Sequence, residues 1–293
     1  MRERCHSVRG GNRGRMPKPS ASSTPSAPLA SPAPSAPSAR GRGDALRGLS
    51  PRLTLAVLVV LPVAVAVGLL VLAVESSWAP MGNLDRSIAD TLHTRALGHP
   101  AWVRAMADVS NIGSPTVMRV GTGLLAVVLW LRRARRLALW IAATMIGGAV
   151  IDEVLKTVVD RARPAFAHPV ATAPGASFPS GHAFTATLGA GVVLLTVLPL
   201  LPRRGRALAW LLAVLVPLAV GYSRLALGVH WTSDVVGGWL LGIGLLTGTT
   251  AAFETWRREH ALPEVHPIFD GAAPEESERA THAEAGAEAH ARD

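Results

Sequence analysis

Six apolar runs, each close to 20 residues long and joined by short polar or basic connections, constrain this chain more than any other feature. They cover 53–74, 114–131, 137–159, 183–201, 207–225 and 233–253. About 20 residues rising 1.5 Å each cross the ~30 Å hydrocarbon core of a bilayer. Backbone at that depth must satisfy its own hydrogen bonds, and no period-2 alternation signals a barrel, so the runs are expected to be helices. The second run is short and is expected to begin before Pro115. With 49% hydrophobic and only 17% charged residues, the chain is too apolar for an ordinary soluble domain. The expected fold class is all-α: a polytopic membrane protein with six transmembrane helices in a bundle.

The flanks differ in kind. Residues 1–50 are rich in Ser, Pro, Ala, Gly and Arg and nearly free of large apolar side chains, so they are expected to be a disordered cytoplasmic tail; translation from Met16 instead of Met1 stays open. Residues 51–256 form the six-span domain. Residues 257–293 lack apolar periodicity and are expected to be a second disordered cytoplasmic tail, with His282 and His290 solvated. The first run starts too far from the N-terminus, and is too long, for a cleaved signal, so it reads as a retained anchor. The only cysteine, Cys5, excludes an intrachain disulfide and a cysteine-based metal cluster.

Net charge is +9, from 29 Lys+Arg against 20 Asp+Glu. No nucleic-acid-binding motif accompanies it, so nucleic acid is excluded as a partner. The arginines instead mark topology. Arg40, Arg42, Arg47 and Arg52 precede the first run; Arg132, Arg133, Arg135 and Arg136 join the second to the third. Arg203, Arg204 and Arg206 join the fourth to the fifth, and Arg257 and Arg258 follow the sixth. All four places fall on one side of a six-span chain, and the positive-inside rule makes that side cytoplasmic. Trp130, Trp140, Trp210 and Trp256 flank these basic segments as interfacial anchors. The 75–113, 160–182 and 226–232 connections then face outside. In the first of them, Leu84, Ile88, Leu92 and Ala96 recur at helical spacing, predicting an interfacial helix that either lids the bundle or steers a lipid headgroup.

Three polar clusters occupy that outer side: Lys156 to Arg163-Pro164, Pro179-Ser180-Gly181-His182, and Ser223-Arg224 to His230 and Asp234. A charge costs about 2.5–3.5 kcal/mol at mid-bilayer on insertion scales, so groups kept beside membrane spans need a use. Lys156 and Arg163, two helical turns apart, are expected to share one face before Pro164 ends the helix. Arg161 reads as a snorkelling anchor outside the site. Asp152, Glu153 and Asp160 are read as acids that hold the cations in place. Ser180 and Gly181 at a helix start offer either an ordinary N-cap or a phosphate cradle, and His182 beside them favours the cradle. Asp234, four residues after His230, can bind Nδ1–H and leave Nε2 free as an oriented base or nucleophile. Three cations with two imidazoles suit phosphate chemistry.

In order and spacing, these clusters resemble the three-part signature of the type 2 phosphatidic acid phosphatase superfamily, which also includes vanadium haloperoxidases and bacterial acid phosphatases. The signature lies between Lys156 and Asp234, and the six-span layout is similar to that of the family's membrane members. The resemblance implies that His230 attacks phosphorus and carries a phosphohistidine, that Asp234 orients it, and that His182 protonates the leaving oxygen and then activates water. Lys156, Arg163, Arg224, Ser180 and the Gly181 amide would hold the phosphoryl oxygens. It implies no cofactor and no metal, because the cations already supply the electrostatic role. The expected substrate is a phosphorylated lipid taken from the bilayer at the outer face of a plasma membrane, with undecaprenyl diphosphate favoured on family analogy alone. Phosphatidic acid and phosphatidylglycerol phosphate stay open as substrates. A phosphotransferase on the same scaffold and a non-catalytic lipid-binding or transport protein are the alternatives.

Overall fold

The structure is a computed structural model that describes residues 51–290, with side chains described for 57–282. The 1–50 tail expected from sequence lies outside the described residues. Every element among the described residues is helical: α1 (Pro51–Glu75), α2 (Ala79–Gly98), α3 (Pro100–Ile112), α4 (Pro115–Leu131), α5 (Arg135–Val159), α6 (Gly181–Val197), a 3-10 turn (Leu198–Leu200), α7 (Arg203–Ala226), α8 (Thr232–Glu259), α9 (Pro267–Asp270) and α10 (Pro274–His290). Among the described residues, six helical segments are long and apolar enough to cross a membrane, with α3 and α4 counting as one, Pro100–Leu131. The chain is a multi-pass membrane protein. The second span does begin before Pro115. Gly113 and Ser114 interrupt it, and the Ser114 hydroxyl accepts the Val117 N–H at 3.3 Å to restart the helix with proline in its first turn.

Helix α8 is the central element, packing against α1, α6 and α5, while α6 also packs against α7, α4 and α5. Small residues set these approaches. A Cβ on Gly238 would lie 2.7 Å from the Ser180 carbonyl and 3.1 Å from the Phe184 amide, so only glycine lets α8 touch the start of α6. The apolar surface that this packing leaves outside suits lipid: Leu69, Leu124 and Ile146 are each more than 60% exposed. Because connections alternate between the two ends, the 160–180 loop, the 227–231 turn and α2 share one end, and the basic connections share the other.

Two expectations need correction. The stretch around 84–96 is helical, but its buried face is Asp85, Ala89 and Ala96, while Leu84 is 57% exposed. The burial pattern follows a polar anchor and small residues instead of the leucine stripe. The segment after residue 257, expected to be disordered, carries two helices, α9 and α10, and packs against the bundle at Ala272, Ala273, Glu276 and Ser277. Ala272 and Ala273 are fully buried, in one core with Leu137, Ile141 and Val192. Ala272 N–H donates to Leu195 O at 2.8 Å, and Ser277 Oγ donates to Thr196 O at 3.1 Å. Glu276 accepts the Leu137 N–H at 3.0 Å, supplying an anionic cap that α5 lacks at its own Ala134 N-cap. Alanines too small to make a visible apolar stripe let this backbone lie close to the bundle.

Candidate active site

The site begins with the end of α5. The helix stops at Val159, and Asp160 takes a left-handed conformation with φ 38°, which a short acidic side chain tolerates. Arg163 therefore lies in the extended segment beyond the helix and does not share a helical face with Lys156, as the spacing had suggested. Lys156 stays on α5, with Nζ 2.8 Å from Asp152 Oδ2. Arg119 approaches the same oxygen at 3.9 Å. A Cβ on Gly181 would fall 2.9 Å from Asp152 Oδ2 and 3.0 Å from Lys156 Nζ, so this pair sits directly against the start of α6.

Arg163 joins the loop to the turn. Its Nη1 donates to Val229 O at 2.7 Å and meets His230 Nε2 at 3.0 Å. Nε and Nη2 donate to the carbonyls of Gly175, Pro174 and Ala176 at 2.9–3.0 Å. A guanidinium can only donate, so the ring nitrogen it meets must hold a lone pair. That places the His230 proton on Nδ1, which faces Asp234 Oδ2 and Ser177 Oγ, each at 3.5 Å. Burial pushes the His230 pKa down, against the upward pull of the Asp234 hydrogen bond and charge, so the imidazole is neutral near pH 7. Burial also lowers the Arg163 pKa, and Asp234 offsets this in part. A guanidinium so far above neutrality stays charged.

Asp234 is saturated. Oδ2 accepts the Trp231 N–H at 2.8 Å and the Ser177 hydroxyl at 2.5 Å, while Oδ1 accepts from Arg161 at 2.6 Å. Arg161 also donates to Ser233 Oγ at 2.7 Å and to Asp85 Oδ2 at 2.8 Å, and its guanidinium lies over the Trp231 ring. Its side chain is only 14% exposed. The expectation of an exposed anchor is thus wrong: two buried carboxylates, one from α2 and one from α8, draw this arginine inward. Ser233 ties the same pair together, donating Oγ–H to Asp85 at 2.5 Å and N–H at 3.0 Å.

Ser180 precedes α6 and makes no side-chain cap. Its N–H donates to Asp234 O at 3.0 Å, and its hydroxyl is buried without a hydrogen-bond partner. Arg224, near the end of α7, donates to Ser110 Oγ at 2.6 Å and keeps Nε buried and unpartnered. The imidazole of His182 stands within electrostatic reach of Arg224, His230, Lys156 and Arg163. All eight sequence-derived residues, Lys156, Arg163, Ser180, Gly181, His182, Arg224, His230 and Asp234, thus border one region. Ser110, Ser177, Ser233, Asp85 and Arg161 were not expected there. Only Arg161, in the first cluster, carried a usable signal. Among the described residues no three His, Cys, Asp or Glu side chains cluster as metal ligands.

His230 with Asp234 behind it, and Ser180 Oγ and Arg224 Nε without hydrogen-bond partners, lie at one end of the helix bundle. Comparison with known proteins names the family. Residues 137–258 match the model of the PAP2 superfamily. The chain is 34% identical over 122 residues to an undecaprenyl-diphosphatase from Sulfolobus acidocaldarius, an alignment covering 40% of this chain and 55% of that protein. It is 37% identical over 97 residues to phosphatidylglycerophosphatase B from Bacillus subtilis, covering 32% and 47%. The chain thus spans about half the length of these two relatives. It is 30% identical over 167 residues to a decaprenylphosphoryl-5-phosphoribose phosphatase from Mycobacterium tuberculosis, covering 56% of this chain and 86% of that one. A crystal structure of a transmembrane PAP2-type phosphatidylglycerolphosphate phosphatase from Bacillus subtilis shares the fold, with TM-score 0.61 and 23% identity over 68% of this chain and 98% of that one. The chain belongs to the PAP2 superfamily.

Proposed function

We propose that this protein is an integral-membrane phosphatase that hydrolyses a lipid phosphate or diphosphate through a phosphohistidine at His230. The observation that carries the reading is the Arg163 contact with His230 Nε2, which leaves that nitrogen a lone pair while the carboxylate of Asp234 stands behind Nδ1. Nε2 attacks phosphorus, the bond from phosphorus to the leaving oxygen breaks, and His182 gives that oxygen a proton. Asp234 stabilises the charge that the ring gains. In the second half, water attacks phosphorus, His182 takes its proton, the P–N bond breaks, and phosphate leaves with His230 neutral again. General acid–base help of this kind contributes about 10²–10⁴ in rate. A phosphate arriving among Lys156, Arg163 and Arg224 also favours the proton that His182 must carry.

The donors divide their work. Arg163 already spends its hydrogen bonds on loop carbonyls and His230, so it frames the nucleophile and releases Nη1 as Nε2 forms its bond. Ser180 Oγ and Arg224 Nε, both unpartnered, together with Lys156, are suited to hold the phosphoryl oxygens, where preorganised donors stabilise the spread charge. The positive-inside rule puts the arginine-rich end in the cytoplasm and this site at the outer face. Relatives named for undecaprenyl diphosphate and a decaprenylphosphoryl sugar phosphate support a polyprenyl lipid substrate.

Purified protein in detergent with a chelator is expected to release inorganic phosphate from undecaprenyl diphosphate without any acceptor, and vanadate should inhibit. Quenching during turnover should trap an acid-labile phosphoryl protein that His230→Ala lacks. Loss of turnover in the chelator, or turnover surviving His230→Ala, would overturn the mechanism. Phosphate appearing only with an acceptor would point to a transferase.

A further inference from the structure

A groove of about 600 Å³ opens along α8 and ends, away from His230, at Arg258 and His266. Helix α1 contributes Val59 to one wall and α7 contributes Trp210, Val214 and Leu218 to the other; Thr187 and Gly191 of α6 floor it. It runs along α8 from Trp239 to Arg258, about 28 Å at 1.5 Å per residue. That length approaches the hydrocarbon thickness of a bilayer, ~30 Å. A small solute would leave most of it empty. A lipid chain would not.

The ionisable side chains of the lining gather at one end: Glu254, Arg258 and His266. Glu254 lies 3.5 Å from Arg257, and Asp270 accepts the His266 backbone N–H at 2.7 Å. Arg258 makes no ion pair among the described residues, and its Nε is buried with no hydrogen-bond partner. Arg206 donates to Phe269 O at 2.7 Å, which brings the Arg203–Arg206 turn of α7 against the segment holding His266, Pro267 and Ile268 of the lining. A long apolar trough with one cationic end matches an amphiphile with one anionic head. Basic pockets between spans are sites of this kind.

We propose that this groove is a binding site for an anionic phospholipid of the leaflet at the basic end, its acyl chain lying along α8 and its phosphate on Arg258. Its headgroup end, in the last turn of α8, lies at the other end of that helix from His230. A neutral headgroup would leave the Arg258 charge uncompensated. A second copy of the chain would have to bring an acid to the same place.

The groove carries its own reporters, Trp210 and Trp239. Full-length protein in micelles doped with chain-brominated phosphatidylglycerol is expected to lose tryptophan fluorescence at about fivefold lower mole fraction than with brominated phosphatidylcholine. Replacing both reporters (W210F and W239F) should remove the difference. Arg258→Gln should merge the two curves and Arg258→Lys should keep them apart, with elution profile and melting temperature reporting the fold. High salt on the unaltered protein makes the same test without a variant, since screening should also merge the curves. Equal quenching by the two headgroups at low salt overturns the proposal in favour of annular lipid. Displacement by undecaprenyl diphosphate irrespective of residue 258 overturns it in favour of a substrate tail. Quenching that disappears as the chain dimerises, read by light scattering, overturns it in favour of a second copy.

Discussion

Helix α8 has a buried arginine network at each end, and the two are built to different plans. At the basic end, Arg257 is 1% exposed and is consumed internally: Glu275 takes Nη1 and Nη2, Pro263 O accepts from Nη2 at 3.1 Å, and Glu254 flanks Nε. At the other end, Arg161 is consumed in the same way by Asp85, Ser233 and Asp234. The same end also holds Lys156, Arg163 and Arg224 with a neutral His230, and there Ser180 Oγ and Arg224 Nε are buried without hydrogen-bond partners. Burial of charge therefore does not mark function by itself.

The largest effect should come from breaking Arg161. Removing one partner of a buried pair costs about 3–5 kcal/mol, because the remaining charge is left unpaired. Arg161→Ala strands Asp85 and Asp234, 2% and 0% exposed, so melting temperature should drop. Arg161 touches Asp234 and not the phosphate, so kcat should fall, by about 10²–10³, while KM stays near its original value. Activity retained in Arg161→Ala would restore the anchor reading. The matching cut, Arg257→Ala, should cost as much stability, about 3–5 kcal/mol, with kcat per folded molecule unchanged. If Arg257→Ala lowers kcat as much as Arg161→Ala does, the two networks do not differ as argued.

The contrast also shows what the sequence could carry. Spans, basic connections and the three polar clusters are local patterns, and the residues they name meet at one place. Arg161 was visible but misread, because its partner Asp85 lies far upstream in α2 and nothing local links the two. Ser110, Ser177 and Ser233 were hidden for a related reason: a serine becomes informative only when its acceptor or donor is known. The packed segment after residue 257 was missed because Ala272 and Ala273 work through being small, which leaves no apolar stripe to find.

Acid should separate the ends next. The folded His230 pKa lies below its ordinary ~6.5, so between those values the unfolded chain binds more protons. Its contribution to stability is therefore complete above about pH 6.5 and is lost as pH falls through the folded value. The same protonation blocks Nε2, so the acid limb of kcat/KM that belongs to the enzyme should lie below pH 6.5, a loss of about tenfold per pH unit. His230→Ala should lose the stability part of this dependence. A limb that rises above pH 6.5 for a substrate without an ionisation there would contradict a buried neutral histidine.

The smallest predicted effect is the most discriminating, because it compares two hydroxyls buried to the same degree. Ser277 and Ser180 are 2% and 0% exposed. Ser277 Oγ donates to Thr196 O at 3.1 Å, whereas Ser180 Oγ has no partner in the free protein. A satisfied hydrogen bond is worth about 1 kcal/mol net, while a buried polar group without a partner is a cost. Ser277→Ala should thus lower stability by about 1 kcal/mol and leave turnover alone. Ser180→Ala should hold or slightly raise the melting temperature and reduce kcat/KM by about tenfold, the value of one hydrogen bond to a charged oxygen. The opposite signs make the pair decisive: a hydroxyl kept at a cost in the free protein must gain its partner from what binds there. If Ser180→Ala destabilises and leaves kcat/KM intact, its hydroxyl serves packing, and the phosphoryl oxygens are left to Lys156 and Arg224.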